Sequence, residues 1–137
     1  MDTIILTEKD FKNDVYCGKQ DLTNIQGNLR IDKAGYCRFE TYIYARGGIS
    51  ARGGIFAKGG KLEALYGITA GLKIYAKTTI EAGMRIFAGT APWSWVGDEH
   101  KEIKCGKLLK GTIAYGTLIE TGLPEINLSG KVVEVKS

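Results

Sequence analysis

The chain contains one histidine and three cysteines in 137 residues. A lone His100 leaves little from which to build a histidine-based catalytic set. Cys17, Cys37 and Cys105 are odd in number and form no Cys-x-x-Cys pair, which argues against a disulfide framework and for a reducing compartment. A zinc set drawn from Cys17, Cys37, His100 and Cys105 lacks finger-like spacing, so no metal is expected. No stretch reaches the roughly 18 apolar residues of a membrane span. The opening MDTIILTEKD has an acidic second residue and only a short apolar run, unlike a signal peptide. The expected location is cytoplasmic. The phosphate-binding pattern GxxxxGK[ST] is missing, as are the carboxylates of calcium-binding repeats. Thr69, Thr78 and Thr79 do not make the regular array an ice-binding face would need. With no nucleophile–base pair and no perturbed carboxylate pair in view, neither enzyme activity nor a cofactor is expected.

What is present is ordinary in bulk and unusual in pattern. A hydrophobic content of 44% and a charged content of 25% are those of a folded single domain. The net charge of +4 is too mild to imply nucleic acid by itself. It is uneven, with seven basic against two acidic residues from Arg30 to Lys61. Nineteen glycines are about twice the usual share, and they cluster in a repeat.

That repeat has a six-residue period over residues 43–88. The units read IYARGG from Ile43, ISARGG from Ile49 and IFAKGG from Ile55. After one extra residue, Lys61, come LEALYG, ITAGLK, IYAKTT, IEAGMR and IFAGTA. Aliphatic and alanine positions two apart give a strand with one buried face. A helix is disfavoured, since each interior glycine costs about 0.8–1 kcal/mol against alanine. The Gly-Gly pairs after the first three short strands read as bends, because glycine accepts positive φ without steric cost.

Three bends bring the chain back over itself, so residues 18 or 19 apart should stack. Ile25, Ile43, Leu62 and Ile80 form one such column. Ile31, Ile49, Ile68 and Ile86 form a second, and Cys37, Ile55 and Ile74 a third. The expected fold is an all-β triangular β-solenoid, or β-helix, with about 18 residues per coil and layers about 4.8 Å apart. Residues 1–24 lack the repeat and are expected to cap the N-terminal end. Thr7 to Asp10 start a short helix with Thr7 as cap, or belong to a capping strand. Residues 25–97 form the coils, and residues 90–102 interrupt the period as a protruding loop. Residues 98–137 supply that loop and further strands that close the solenoid within one domain.

The column model sorts the outward side chains. Two sides are mixed: Tyr44, Glu63 and Glu81 on the first, Ser50, Thr69 and Phe87 on the second. The third side carries Arg38, Phe56, Tyr75 and Trp93 in one column and Glu40, Lys58, Lys77 and Trp95 in its neighbour. Aromatic and basic residues sharing one exposed face mark an interface. Arg38, Phe56, Lys58, Tyr75, Lys77, Trp93 and Trp95 are therefore the expected partner-binding residues. For the two tryptophans, burial under the adjoining loop is the alternative.

The Gly-Gly-x-Ile-x-Ala units of residues 43–88 resemble hexapeptide-repeat β-solenoid proteins of bacteria and their phages, and more distantly bactofilins. The resemblance implies shape first. With the small size of the chain, it implies a non-catalytic protein-binding module, such as a phage or mobile-element inhibitor of host machinery of the anti-CRISPR kind. The bactofilin likeness implies a self-assembling scaffold or homo-oligomer as an alternative. Nucleic acid is a third possibility, since Arg38, Lys58 and Lys77 lie beside aromatics, a combination that binds single strands. Hexapeptide-repeat acyltransferases rank lower. Their repeats carry a small residue after the aliphatic one, where this chain has Tyr44, Phe56, Glu63 and Tyr75. Their histidine base would have to be His100, in the charged stretch Asp98 to Glu102 that reads as a solvated loop.

Overall fold

A computed structural model describes residues 3–90, 100–122, 124–126 and 132–134. The regular structure is all-β, apart from a three-residue 3-10 turn at Glu8–Asp10. The strands are β1 (Thr3–Thr7), β2 (Phe11–Lys12), β3 (Val15–Tyr16), β4 (Asn28–Asp32) and β5 (Tyr36–Phe39). The repeat supplies β6 (Ile43–Ala45), β7 (Ile49–Ala51), β8 (Gly54–Ala57), β9 (Leu62–Ala64), β10 (Ile68–Ala70) and β11 (Ile74–Ala76). Then follow β12 (Thr79–Phe87), β13 (Glu102–Cys105), β14 (Lys107–Tyr115), β15 (Thr117–Glu120), β16 (Pro124–Ile126) and β17 (Val132–Glu134).

Most strand pairs are parallel, and the repeat sets their register. Ile43 aligns with Leu62 and Leu62 with Ile80. Ile49 aligns with Ile68 and Ile68 with Ile86. Cys37 aligns with Ile55 and Ile55 with Ile74. β12 turns a corner, its first part pairing with β9 and its last residues with β10. These side chains are fully enclosed, with Ile43, Leu62, Ile80, Ile55 and Ile74 all at 0% exposure. Burying each contributes roughly 1.5–3 kcal/mol.

The first layer departs from the expected register by two residues. Ile25 bridges Ala45, not Ile43. Leu29 takes the place opposite Ile49, and Ile31 lies opposite Ala51. The cause is the corner at 32–36, which carries two more residues than the Arg52–Gly54 corner above it. A shift of two leaves the strand face unchanged, so Ile25 and Ile31 still point inward.

Two of the three glycine pairs act differently from expectation, while Gly60 of the third has the expected positive φ, 149°. Gly47, Gly48, Gly53 and Gly54 have no positive φ. What they lack is room: a Cβ on Gly53 would fall on the Gly35 carbonyl oxygen, and one on Gly83 on that of Leu65. The glycines let corner backbones lie directly over one another. Left-handed backbone does occur at Gly35, with φ 79°, in the longer corner.

Both ends extend the parallel pairing beyond the repeat. β1 pairs with β4. β13 pairs with β11, β14 with β12 and β15 with β13, so parallel strands run on past residue 97. The Thr7–Asp10 segment is the end of β1 and a 3-10 turn, with the Thr7 N–H donating to Asp10 Oδ2 at 2.8 Å. β2 and β3 form a hairpin whose turn, Asn13 (φ 53°) and Asp14 (φ 66°), has the left-handed conformation of a two-residue type I′ loop. The hairpin brings Phe11 and Tyr16 onto Phe39, with ring centroids 5.8 Å apart in each pair.

A buried charge holds this hairpin in place. Lys33 is 5% exposed, and its Nζ donates to Asp14 Oδ1 at 2.8 Å and to the Ala34 carbonyl at 3.1 Å. Burial, the largest single influence, lowers the Lys33 pKa, but the Asp14 hydrogen bond together with the charges of Cys37, Asp14 and Glu8 outweighs it and leaves the value raised. The same hydrogen bond lowers the Asp14 pKa below its usual 3.8. Asp14→Asn keeps a residue that tolerates left-handed backbone but leaves the buried ammonium unpaired. We expect it to lower the melting temperature at pH 7. The pair's contribution is complete above pH 3.8 and disappears as pH falls through the lowered Asp14 value. At the alkaline end it is complete below 10.5 and disappears through the raised Lys33 value. Melts across pH should therefore show wild type and variant converging at both extremes. A gap that stays constant with pH would rule out the ion pair as its source.

Candidate interaction face

The third column of strands carries the face singled out from the sequence. It runs β2, β3, β5, β8, β11, β13, β15 in sheet order. Its outward positions align Val15 with Arg38, Arg38 with Phe56 and Phe56 with Tyr75. Register places these side chains about 4.8 Å apart along the stack, since parallel strands are spaced that way. Arg38, Lys58 and Lys77 are exposed, while Phe56 and Tyr75 are half-buried.

Beyond Tyr75 the face differs from expectation. The position opposite Tyr75 belongs to Lys104 of β13, not to Trp93. The column resumes 29 residues after Tyr75 in place of 18. Trp93 and Trp95 lie outside the described residues. The alternation of Ile103 and Cys105 about Lys104 is the signal that would have revealed this register, because it repeats the pattern of Ile74 and Ala76 about Tyr75.

Two further aromatic residues join the face. The Tyr36 ring packs edge-on to Phe56 with centroids 5.1 Å apart, and Phe56 is tilted against Tyr75 at 5.6 Å. His100 does not sit in a solvated loop: it is half-buried, its ring 5.8 Å from that of Tyr36 and its Nδ1 hydrogen-bonded to the Tyr36 hydroxyl. Tyr36 escaped notice because it lies where the lengthened corner runs into β5, two positions before Arg38. Lys73 Nζ sits 6.0 Å from the Phe56 ring centroid and 3.7 Å from Glu102. The face thus combines a Tyr36–Phe56–Tyr75 ladder with Arg38, Lys58, Lys73, Lys77 and Lys104, against the carboxylates of Glu40 and Glu102.

The thiols are placed for packing. Cys37 and Cys105 are 0% and 1% exposed, and burial pushes each pKa up to about 11. Such thiols stay protonated near neutrality and act as small apolar groups. Cys17 is exposed. No three His, Cys, Asp or Glu side chains among the described residues converge as metal ligands, and no described helix is long and apolar enough to cross a membrane.

The corner between the first and second sides is less bland than the sequence implied. Leu65, Tyr66 and Met84 are 47%, 50% and 60% exposed there. Tyr66 was missed because it falls between strands, and Met84 because it continues the inward parity of Ile80 and Ala82, which the bend in β12 breaks. No protein-family model, curated protein or solved structure matches the chain.

Proposed function

We propose that the strands close into a triangular β-solenoid whose third face binds another protein, making the chain a non-catalytic interaction module. The observation that carries this is the Tyr36–Phe56–Tyr75 ladder bordered by Arg38, Lys58, Lys77 and Lys104. Rigid aromatic rings ordered by a stacked sheet lose little entropy on binding, and Tyr and Arg are the usual anchors of interfaces. The ring geometry favours protein over single-stranded nucleic acid. Rings tilted at 65° and 46° against one another are half covered by their neighbours and do not offer open faces for bases. The Gly-Gly-x-Ile-x-Ala resemblance supports a phage-type inhibitor of host machinery as the setting.

The test is capture from a host lysate with wild-type protein and with Phe56→Ala and Tyr75→Ala. Both side chains point outward, so the variants should fold and melt close to wild type. Each should weaken partner binding by roughly 30-fold, corresponding to about 2 kcal/mol for an anchoring aromatic. Ser50→Ala, on the second side, should bind as wild type. Equal capture by all four proteins would eliminate the third face. Retention of a single-stranded oligonucleotide with a steep salt dependence would assign the same face to nucleic acid.

A further inference from the structure

We propose that the outer edge of β1 is a homodimer interface, pairing antiparallel with β1 of a second copy about a two-fold axis through Ile5. This surface is separate from the third face and does not depend on it.

The hydrogen-bond directions of β4 determine which edge groups of β1 point outward. The Leu29 N–H donates to the Gly48 carbonyl, and the Ile31 carbonyl accepts from the Arg52 N–H, so these two residues face β7. Alternation then turns Asn28, Arg30 and Asp32 toward β1. Arg30 aligns with Ile5, so its parallel-ladder partners are Ile4 and Leu6. The N–H and C=O groups of Thr3, Ile5 and Thr7 therefore face away from the sheet. Two of them are already used, the Thr7 N–H by Asp10 Oδ2 and the Thr7 C=O as the N-cap carbonyl of the 3-10 turn. β1 is the terminal strand of its sheet among the described residues.

The sequence of this edge is nearly its own reverse. TIILT, read antiparallel about Ile5, sets Ile5 against Ile5, Ile4 against Leu6 and Thr3 against Thr7. Pairing would create two reciprocal bonds at Ile5, with Thr3 of each copy opposite Thr7 of the other. Ile5 is 53% exposed on the outer face and would cover its own symmetry mate. On the inner face Leu6 is buried while Ile4 is only half-buried, so the pairing of Ile4 with Leu6 would continue the apolar interior across the axis. A two-fold contact of this kind closes on itself and gives a dimer, not a filament.

The opposite end of the stack shows what a protected edge looks like in this protein. β14 carries Lys107 and Lys110, and Glu120 of β15 covers the Leu108 N–H with its carboxylate at 2.9 Å. Charges of this sort keep strand edges from pairing. β1 has no charged residue and no proline.

The test is solution mass by sedimentation equilibrium, with two variants at the axis. Wild type should weigh about twice 14.9 kDa. Ile5→Lys, which alters only an outward side chain, should give the monomer mass with an unchanged circular dichroism spectrum. Ile5→Cys, made with Cys17→Ser so that no other thiol is exposed, should form a disulfide-linked dimer under mild oxidation. Hydrogen-bonded antiparallel pairs hold Cα atoms about 5.5 Å apart, within the roughly 4.4–6.8 Å a disulfide spans. Phe56→Ala should keep the dimer mass. A monomeric wild type, or a dimer that survives Ile5→Lys and does not cross-link through Ile5→Cys, would overturn the proposal.

Discussion

Replacing Gly53 by alanine should destabilise the protein by about 3 kcal/mol, the upper part of the range for forcing extra volume into packed structure. The added methyl would fall on the carbonyl oxygen of Gly35 in the layer before it. That oxygen also accepts the Gly54 N–H at 3.0 Å, and the Gly53 carbonyl in turn accepts the Leu72 N–H from the layer after it, at 3.3 Å. Moving Gly53 aside therefore disturbs backbone bonds on both sides of the corner. Alanine would recover part of the loss, about 0.4–1 kcal/mol, by restricting the unfolded chain. Gly48→Ala is the matched control. Its nearest contact would be the Gly67 carbonyl at 3.3 Å, a clearance that a shift of a few tenths of an ångström relieves. Denaturant titrations should rank Gly53→Ala well below both wild type and Gly48→Ala. Equal stabilities for the two variants would mean that the corners are not held apart by these atoms.

The glycine corners show how much of the fold could be read in advance. Periodicity identified the strands and the columns because the side-chain period of two and the corner period of six are both properties of local sequence. It read the corner glycines as positions of positive φ and did not reveal the reason that holds at Gly53. That reason lies in an atom some 18 residues distant, the Gly35 oxygen, and only stacking brings it near. The two-residue slip of Ile25 and Ile31 was hidden for a related cause. Length added at the corner around Gly35 alters register without altering which face is buried, so the pattern of apolar residues looks the same either way.

The interaction face divides along the same line. Phe56 and Tyr75 were legible because they lie in the repeat, where counting residues with the one insertion at Lys61 is equivalent to counting layers, and Arg38 keeps the 18-residue spacing just before it. Lys104 was not, because the interval from Tyr75 contains residues 90–102, and their number carries no geometric meaning. Tyr36 and His100 approach each other across 64 positions of sequence, a contact no local pattern encodes.

Ile68→Ala should be the most damaging single substitution in the interior, costing about 4 kcal/mol within the usual 2–5 kcal/mol for such truncations. Ile68 is 0% exposed and lies between Ile49 and Ile86 in the layers on either side. The walls of the resulting cavity are strands held by backbone bonds to both neighbours, so they cannot move inward to fill it. Leu6→Ala removes a side chain equally well buried, at 1% exposure, but from the terminal strand β1. A terminal strand has a neighbour on one side only and can settle into the space, so a loss nearer 2 kcal/mol is expected. In a stack where each layer contacts only its neighbours, stability is approximately a sum of layer and interface terms. An interior truncation weakens two interfaces and a terminal one only one. Of a total of roughly 5–15 kcal/mol, the first loss is large enough to leave a detectable unfolded population at moderate temperature. Urea titration of both variants measures the difference. If Leu6→Ala proves as costly as Ile68→Ala, the layers do not behave as separately bounded units.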